Sequence, residues 1–248
     1  MIKQTKIRQS LKNPDTKREL NKDLFTVVAK KYSLVTKLLS FGCDSTWKKA
    51  LVQQLPNIDA PLCLDLACGT GDICALLAAR YPQGKIIGVD ITPAMLAIAQ
   101  THNVTKQVTY IQADMAAPPV ADQSIDIITG GYALRNAPDL DQLLKTVWQK
   151  LKPGGVASFL DFSKSDQLNI QRWQMRLLIL WTGLWGIVLH ANPAIYNYIP
   201  ASLKTFPTQK QLQSKIEKMG FADYSCVYYH KGFVAKICFS KPKSMQGD

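Results

Sequence analysis

Apolar residues recur at helical spacing between Leu24 and Leu39, with Phe25, Val28, Tyr32 and Val35 on one side, and a second helix is expected over Trp47 to Leu55. From residue 61 the pattern changes. The run Pro61-Leu62-Cys63-Leu64 is continuous and apolar, as in a strand buried on both faces. Strands are predicted over 61–66, 85–90, 108–112, 124–129 and 155–161, with helices over 71–80, 93–101 and 139–151 between them. Such alternation predicts a parallel sheet covered on both faces. After Lys152-Pro153-Gly154-Gly155, a turn signal, the alternation persists to Asp166 and then breaks until about Pro207. A helix over 208–219 ends at Gly220, and strands over 222–229 and 232–240 pair antiparallel across Lys231-Gly232. The expected class is therefore α/β: a doubly wound, mostly parallel seven-stranded sheet with an antiparallel final strand. To it are added N-terminal helices and a helical insertion that caps the substrate site. Residues 1–23 are expected to form a basic mobile arm, and 24–248 a single domain with N-terminal cap helices over 24–57 and the cap insertion over 165–207.

The break in alternation holds the apolar stretch Leu177 to Leu189. At about 13 residues it falls short of the ~20 needed to span a bilayer as a helix. Three readings stay open: a cap over an apolar substrate, a surface that dips into lipid, or a buried helix or homodimer contact. Arg172, Arg176 and His190 flank the stretch.

Candidate chemistry sharpens the α/β picture at Leu64-Asp65-Leu66-Ala67-Cys68-Gly69-Thr70-Gly71-Asp72, where a strand ends in a glycine turn that opens a helix. Gly69 and Gly71 allow the backbone to turn sharply and approach a ligand. A dinucleotide fingerprint would place a third Gly or Ala three residues after Gly71, where Cys74 stands. Asp72 at the helix start repels a pyrophosphate but can pair with an ammonium or sulfonium. Asp90, closing Lys85-Ile86-Ile87-Gly88-Val89-Asp90, is placed to accept from both hydroxyls of a ribose. S-adenosylmethionine fits this arrangement better than NAD. The glycine turn, Asp90, Asp114 and Gly130-Gly131 all fall at the carboxyl ends of predicted strands, where ligands of such sheets bind.

A net charge of +12 would permit nucleic-acid binding, but the basic residues are dispersed and no RNA-binding module is present, so no nucleic-acid partner is expected. Several of them (Lys3, Lys6, Arg8, Lys12, Lys17, Arg18, Lys22) lie in the first segment, which reads either as an arm drawn to an anionic membrane surface or as a solubilising tail. The six cysteines show no C-x-x-C pair and no His at ligand spacing, so no metal is expected. Cys63 and Cys238 fall in predicted strands and read as small buried hydrophobes of a reducing compartment. The N-terminus lacks the apolar core of a secretory signal. A cytoplasmic location is expected, with membrane association at the inner face left open.

The segment from Leu64 to Asp72 resembles motif I of the class I S-adenosylmethionine-dependent methyltransferases. Gly88 to Leu96 resembles their ribose-binding segment, and Ile111-Gln112-Ala113-Asp114 their adenine-proximal element. Outside these motifs, Gly131-Tyr132-Ala133-Leu134-Arg135-Asn136-Ala137-Pro138-Asp139, Phe159-Leu160-Asp161-Phe162-Ser163-Lys164 and Tyr196-Asn197-Tyr198-Ile199-Pro200-Ala201-Ser202 resemble signature segments of the ubiquinone/menaquinone C-methyltransferase family. Ala29-x-x-Tyr32 and Ser40-Phe41-Gly42 with Trp47-Lys48 are similar to the same family's leader, so the resemblance runs from about residue 24 to 240. It implies a Rossmann-like methyltransferase that binds S-adenosylmethionine through Asp65, Ala67, Gly69, Thr70, Gly71 and Asp72, through Asp90, Ile91 and Met95, through Asp114 and Met115, and through Gly130.

The implied reaction is C-methylation of a prenylated quinol or a similar apolar aromatic, a hydrophobic small-molecule acceptor. A ring carbon becomes nucleophilic when the adjacent hydroxyl is deprotonated, and the resemblance implies that Arg135, with Asn136, stabilises that phenolate. Asp161, Tyr196 and His230 are candidates for proton relay or substrate orientation. Four segments depart from the family pattern. Tyr32-Ser33 stands for Tyr-Asp, Thr36 for Asn, Asp44-Ser45-Thr46 for the stretch with a His-Arg pair, and Tyr228-Tyr229-His230 for Asn-Leu-Thr. All four border the expected acceptor or the cover over the cofactor. A methyltransferase of specialised metabolism acting on O, N or C of a hydrophobic molecule therefore stays open, as does a non-catalytic S-adenosylmethionine- or lipid-binding protein.

Overall fold

The structure is a computed structural model that describes residues 4–102 and 105–243; residues 1–3 of the expected arm and 244–248 of the expected domain lie outside the described residues. Four helices come first: α1 (Gln4–Ser10), α2 (Pro14–Val28), α3 (Tyr32–Leu39) and α4 (Asp44–Gln53). The chain then alternates through β1 (Leu62–Leu66), α5 (Asp72–Arg80), β2 (Lys85–Asp90), α6 (Pro93–His102) and β3 (Val108–Gln112). It continues through β4 (Ile125–Gly131), α7 (Ala133–Asn136), α8 (Leu140–Lys150) and β5 (Leu151–Phe162). A helical pair, α9 (Leu168–His190) and α10 (Ala194–Thr205), precedes α11 (Gln209–Lys218), β6 (Ala222–Tyr229) and β7 (Val234–Ser240).

The seven strands form one sheet in the order β3-β2-β1-β4-β5-β7-β6. β1 to β5 pair in parallel, while β7 runs against both β5 and β6. β1 is central, with Cys63, Leu64, Asp65 and Leu66 all buried, which is why its sequence shows no polar alternation. Strand order reverses between β1 and β4, and the crevice at their carboxyl ends is the place where such a sheet takes a ligand. Leu64, Leu66, Ile128 and Phe159 pack on one face, and Cys63, Ile86, Ile127 and Leu160 on the other.

The first 23 residues differ from the expectation. From Gln4 onward they are helical and packed rather than a mobile arm. Asn13 caps α2 through Oδ1, and Pro14 occupies its first turn, where a missing N–H costs nothing. Ile7, Leu20, Leu24 and Val28 are buried against Met95, Ile195 and Tyr198 in a third core. Each such aliphatic side chain contributes about 1.5–3 kcal/mol on burial. Polar anchors fix the register: Lys17 Nζ donates to the carbonyls of Arg135 (3.0 Å) and Ala137 (2.5 Å), and Asn21 Nδ2 to that of Asn136 (2.7 Å).

The apolar insertion is also longer than its hydrophobic run, because α9 extends over 23 residues from Leu168. Among the described residues no helix is long and apolar enough to cross a membrane. The chain reverses tightly after α9; a Cβ on Gly186 would lie 2.7 Å from Pro193 Cα, so glycine permits the close return into α10.

Candidate active site

The glycine turn leaves β1 through two left-handed residues, Ala67 (φ 53°) and Gly69 (φ 54°), before Gly71 (φ 81°) opens α5. That path aims the Gly69 N–H at Asp90 Oδ2 (2.9 Å), while the Thr92 N–H donates to Oδ1 (2.8 Å). Burial pushes the Asp90 carboxyl up, and these two N–H groups oppose the shift by favouring the anion. Ala67, Gly69, Asp90, Ile91, Met95, Asp114 and Met115 line one cleft of about 50 Å³.

Other expected cofactor contacts sit elsewhere. Asp65 is fully buried beneath the turn, where Thr129 Oγ1 donates to Oδ1 (2.7 Å) and Cys74 Sγ to Oδ2 (3.4 Å). Burial pushes its carboxyl up to about 6. Gly131 rather than Gly130 faces the cleft; a Cβ on Gly130 would lie 2.8 Å from Ala133 Cβ and 3.0 Å from the Phe159 ring, which puts it on the core side. Thr70 and Gly71 shape the turn without lining the cleft, and Thr70 Oγ1 approaches Asp72 Oδ1 at 3.3 Å. Asp72, expected to meet the cofactor's cation, already pairs with Lys48 Nζ at 2.8 Å.

Lys48 lies between two carboxylates, with Asp44 Oδ2 at 2.7 Å on its other side. Burial works to lower its pKa, but Asp44, Tyr32 and Asp72 together raise it well above that of an ordinary lysine. The Tyr132 hydroxyl donates to Asp44 Oδ1 at 2.7 Å, so one chain of polar contacts runs from the donor turn to Tyr132. Asp44 belongs to a segment that departs from the family pattern, and the structure makes it a buried structural partner.

α2 roofs the cleft with Arg18, Asn21 and Phe25, and Tyr32 of α3 completes the cover. Arg18 Nε meets Asp114 Oδ2 at 2.6 Å, and the other carboxylate oxygen accepts from the Ala116 N–H at 2.9 Å. These roof residues were not singled out as cofactor contacts in the sequence, although the helical spacing of Phe25 and Tyr32 marks their common face.

Beside this cleft lies a second cavity of about 470 Å³, walled mostly by apolar side chains of α2, α3, α9 and α10. Four of the five expected catalytic residues, Arg135, Asn136, Tyr196 and His230, line it. Asp161 does not; it is fully buried behind Arg135, accepting from the N–H groups of Arg135 (2.8 Å) and Phe162 (2.7 Å). Burial raises its pKa and the Arg135 guanidinium opposes that rise. Arg135 Nε stands 3.3 Å from Asp161 Oδ1, a charge contact without hydrogen-bond alignment. Arg135 Nη1 donates to Ser202 Oγ at 2.5 Å, and the guanidinium rests over the rings of Phe162 (5.3 Å) and Tyr198 (5.8 Å). A guanidinium held at so many points keeps one orientation. Tyr196 Oη meets His190 Nδ1 at 3.0 Å, and His230 stacks edge-on to Trp47 at 4.9 Å within an aromatic cluster.

Asn136, Tyr32 and Phe25 line both the narrow cleft and the wide cavity. Asn136 Oδ1 is buried and has no hydrogen-bond partner among the described residues. Such an acceptor at a junction is suited to a polar ligand atom, since an unpaired one costs about 1–3 kcal/mol. The cleft's own residues also fit a nucleoside: apolar Ile91, Met95 and Met115 for a base, and the Asp90 carboxylate for a diol.

The sequence profile of the ubiE/COQ5 methyltransferase family matches residues 12–240. The chain is 37% identical over 200 residues to the 2-phytyl-1,4-naphtoquinone methyltransferase of Thermosynechococcus vestitus, covering 80% of this chain and 88% of that protein. It is 34% identical to the demethylmenaquinone methyltransferase of Lactobacillus johnsonii, over 87% and 89% of the two chains. Among solved structures, an S-adenosylmethionine-dependent methyltransferase of Thermotoga maritima, described as a possible histamine N-methyltransferase, shares the fold. Its TM-score is 0.64 at 17% identity over 89% of this chain and 99% of that one.

Proposed function

Since the chain belongs to the ubiE/COQ5 methyltransferase family and is an S-adenosylmethionine-dependent methyltransferase, we propose that its acceptor is a prenylated quinol, methylated on a ring carbon. The observation that carries this reading is an apolar cavity of about 470 Å³ that has Arg135 and Asn136 in its wall and meets the donor cleft at Asn136. A prenylated ring needs both: polar groups at its oxygens and a long apolar wall for its tail. The relatives that act on phytylated and prenylated naphthoquinones support the same acceptor class.

In this reading Asp90 holds the ribose hydroxyls, Ile91, Met95 and Met115 flank the adenine, Asp114 meets its amino group, and Ala67, Gly69 and Gly131 bring backbone to the methionine portion. S-adenosylmethionine supplies an electrophilic methyl carbon. The protein's part is to place the acceptor carbon in line with it, an effect that can account for much of the rate. Arg135 faces the acceptor oxygen and stabilises the phenolate whose charge activates the neighbouring carbon. Asp161 and Ser202 hold Arg135 in that orientation, so Asp161 serves as a positioning residue rather than a proton acceptor. Asn136 offers its free Oδ1 to the same end of the ring. Tyr196 and His230 orient the acceptor from the cavity wall. The reading includes a cytoplasmic protein associated peripherally with the inner face of a membrane, where such an acceptor resides.

One observation favours a second reading. Tyr132 lines the acceptor cavity and its hydroxyl is held by Asp44, a departure from the family pattern just behind the wall, which suits a differently shaped acceptor of specialised metabolism methylated on O or N. Incubation of the protein with radiolabelled S-adenosylmethionine and a cellular lipid extract separates the two. Label in a quinone of increased mass supports the first; incorporation only into polar metabolites sinks it.

A further inference from the structure

Helix α9 carries two apolar stripes. Its inner stripe, including Met175, Leu178 and Thr182, is buried. The outer stripe, Ile170, Trp173, Leu177, Leu180, Leu184 and Ile187, recurs every three or four residues and is exposed, with Trp173 at 66% and Leu180 at 70%. At 1.5 Å per residue it runs for about 27 Å along the surface. Isolated exposed apolar residues need no explanation, but a continuous stripe of this length marks a contact face.

Two further observations say what covers it. Leu177, Leu180 and Leu184 are at once exposed and part of the acceptor cavity's lining, as is Phe41, which is 65% exposed and stacked on Trp181 at 4.6 Å. The cavity therefore opens through this face, and a protein seated on it would block the opening. The segments forming the face, 24–43 and 167–205, contain no Asp or Glu, yet carry Lys30, Lys31, Lys37, Arg172 and Arg176, all exposed.

We infer that the outer stripe of α9 docks on an anionic lipid bilayer and that the acceptor cavity opens directly into it. An apolar stripe flanked by cations is the arrangement by which a helix lies in the interfacial plane, its apolar side in the acyl boundary and its basic side at the headgroups. A prenylated ring then enters the cavity without crossing water, and its tail stays in the bilayer while the ring reaches Arg135. This rests on the acceptor reading for its purpose but not for its test.

The test uses the full chain and vesicles free of any acceptor. Trp173→Glu with Val188→Glu alters two exposed residues that line neither cavity. The unmodified protein is expected to float with vesicles of phosphatidylcholine mixed with phosphatidylglycerol, and much less with phosphatidylcholine alone. The double variant should lose this partition by about tenfold or more, as should Arg172→Gln with Arg176→Gln. Turnover of a detergent-dispersed acceptor should stay unchanged in the Trp173 and Val188 variant while turnover of a vesicle-embedded one falls. Equal flotation of all the variants would overturn the inference. So would absence of vesicle binding together with a dimer that Trp173→Glu and Val188→Glu dissociate, which would make the stripe a contact between copies. A protein that floats as expected but methylates no quinol would leave the docking surface standing and remove the acceptor reading.

Discussion

The donor cleft and the acceptor cavity are neighbours built by different rules. The cleft is made where four strands end, from backbone turned sharply at Ala67 and Gly69 and from a carboxylate, Asp90, that the turn itself binds. Its parts lie within short continuous segments and follow one another in sequence order. The cavity is enclosed by helices α2, α3, α9 and α10 and by the turn at His230, which meet only in the folded chain. Chemistry that needs backbone N–H groups and a diol-binding acid is written locally, whereas chemistry that needs volume and apolar wall is distributed over the fold. Asn136, reached from both sides, is where the two must agree.

If that division holds, substitutions on the two sides should separate turnover from donor affinity. Arg135→Ala should lower kcat by about 10²-fold or more, on the scale of removing a transition-state donor, with S-adenosylmethionine affinity held within a few fold by calorimetric titration. It also strands Asp161 as a buried charge, at a cost of about 3–5 kcal/mol. Arg135→Ala with Asp161→Asn should therefore recover thermal stability but not turnover. A variant that recovered both would make Arg135 a structural residue. Asp90→Ala should do the reverse: weaken S-adenosylmethionine by about 1–3 kcal/mol, the worth of charge-assisted hydrogen bonds, and leave the acceptor KM unchanged. Unchanged donor affinity would take Asp90 out of the cleft's function.

The same contrast explains what was legible before the structure. The central strand β1 announces itself because burial on both faces leaves it almost wholly apolar, and the turn after it because positive φ favours Gly69 and Gly71. The helices of residues 4–23 were hidden because their inward face includes Lys17 and Asn21, whose partners are carbonyls more than a hundred residues away. Asp72 was read as free for a cation because nothing local shows that α4 delivers Lys48 to it. Gly130 and Gly131 could not be told apart, since strand register alone decides which of them faces the cleft. Of the five residues expected to be catalytic, four line the cavity, and Asp161 falls behind it because successive residues of β5 point to opposite faces, so that Phe162 faces the cavity and Asp161 does not.

Smaller effects sharpen the boundary between the two regions. Tyr132→Phe removes the hydroxyl that Asp44 accepts, and should cost about 1–3 kcal/mol in stability by denaturant titration while changing acceptor KM more than donor affinity. A change in donor affinity alone would show that the Asp44, Lys48 and Asp72 chain serves the cleft only. Arg18→Ala frees Asp114 at a half-exposed ion pair worth about 0.2–1 kcal/mol, so S-adenosylmethionine binding should tighten by up to about fivefold. Weaker binding would mean that Arg18 itself holds the ligand.

A further effect shows only above neutrality. Burial first, and Arg135 second, push Lys17 from 10.5 down to about 8. Below that pH the ammonium is charged in both states and its burial cost is undiminished. Between about 8 and 10.5 the folded protein releases a proton that the unfolded chain keeps, so stability rises with pH. Relative to Lys17→Met, the unmodified protein should gain stability between pH 7.5 and pH 9.5 in paired unfolding curves. A constant gap would show that Lys17 does not titrate there.

The central claim is that the cleft and the cavity join so as to bring the donor methyl to a ring carbon beside Arg135. The most direct measurement supplies methyl-¹³C S-adenosylmethionine and a reduced prenylated naphthoquinol lacking the ring methyl, and locates the label by carbon–proton correlation NMR. The account predicts a labelled methyl bonded to a ring carbon next to an oxygenated one, and loss of that product in Arg135→Ala with Asp161→Asn. Label on oxygen or nitrogen, or the same carbon-methyl product at undiminished rate from that variant, would contradict it.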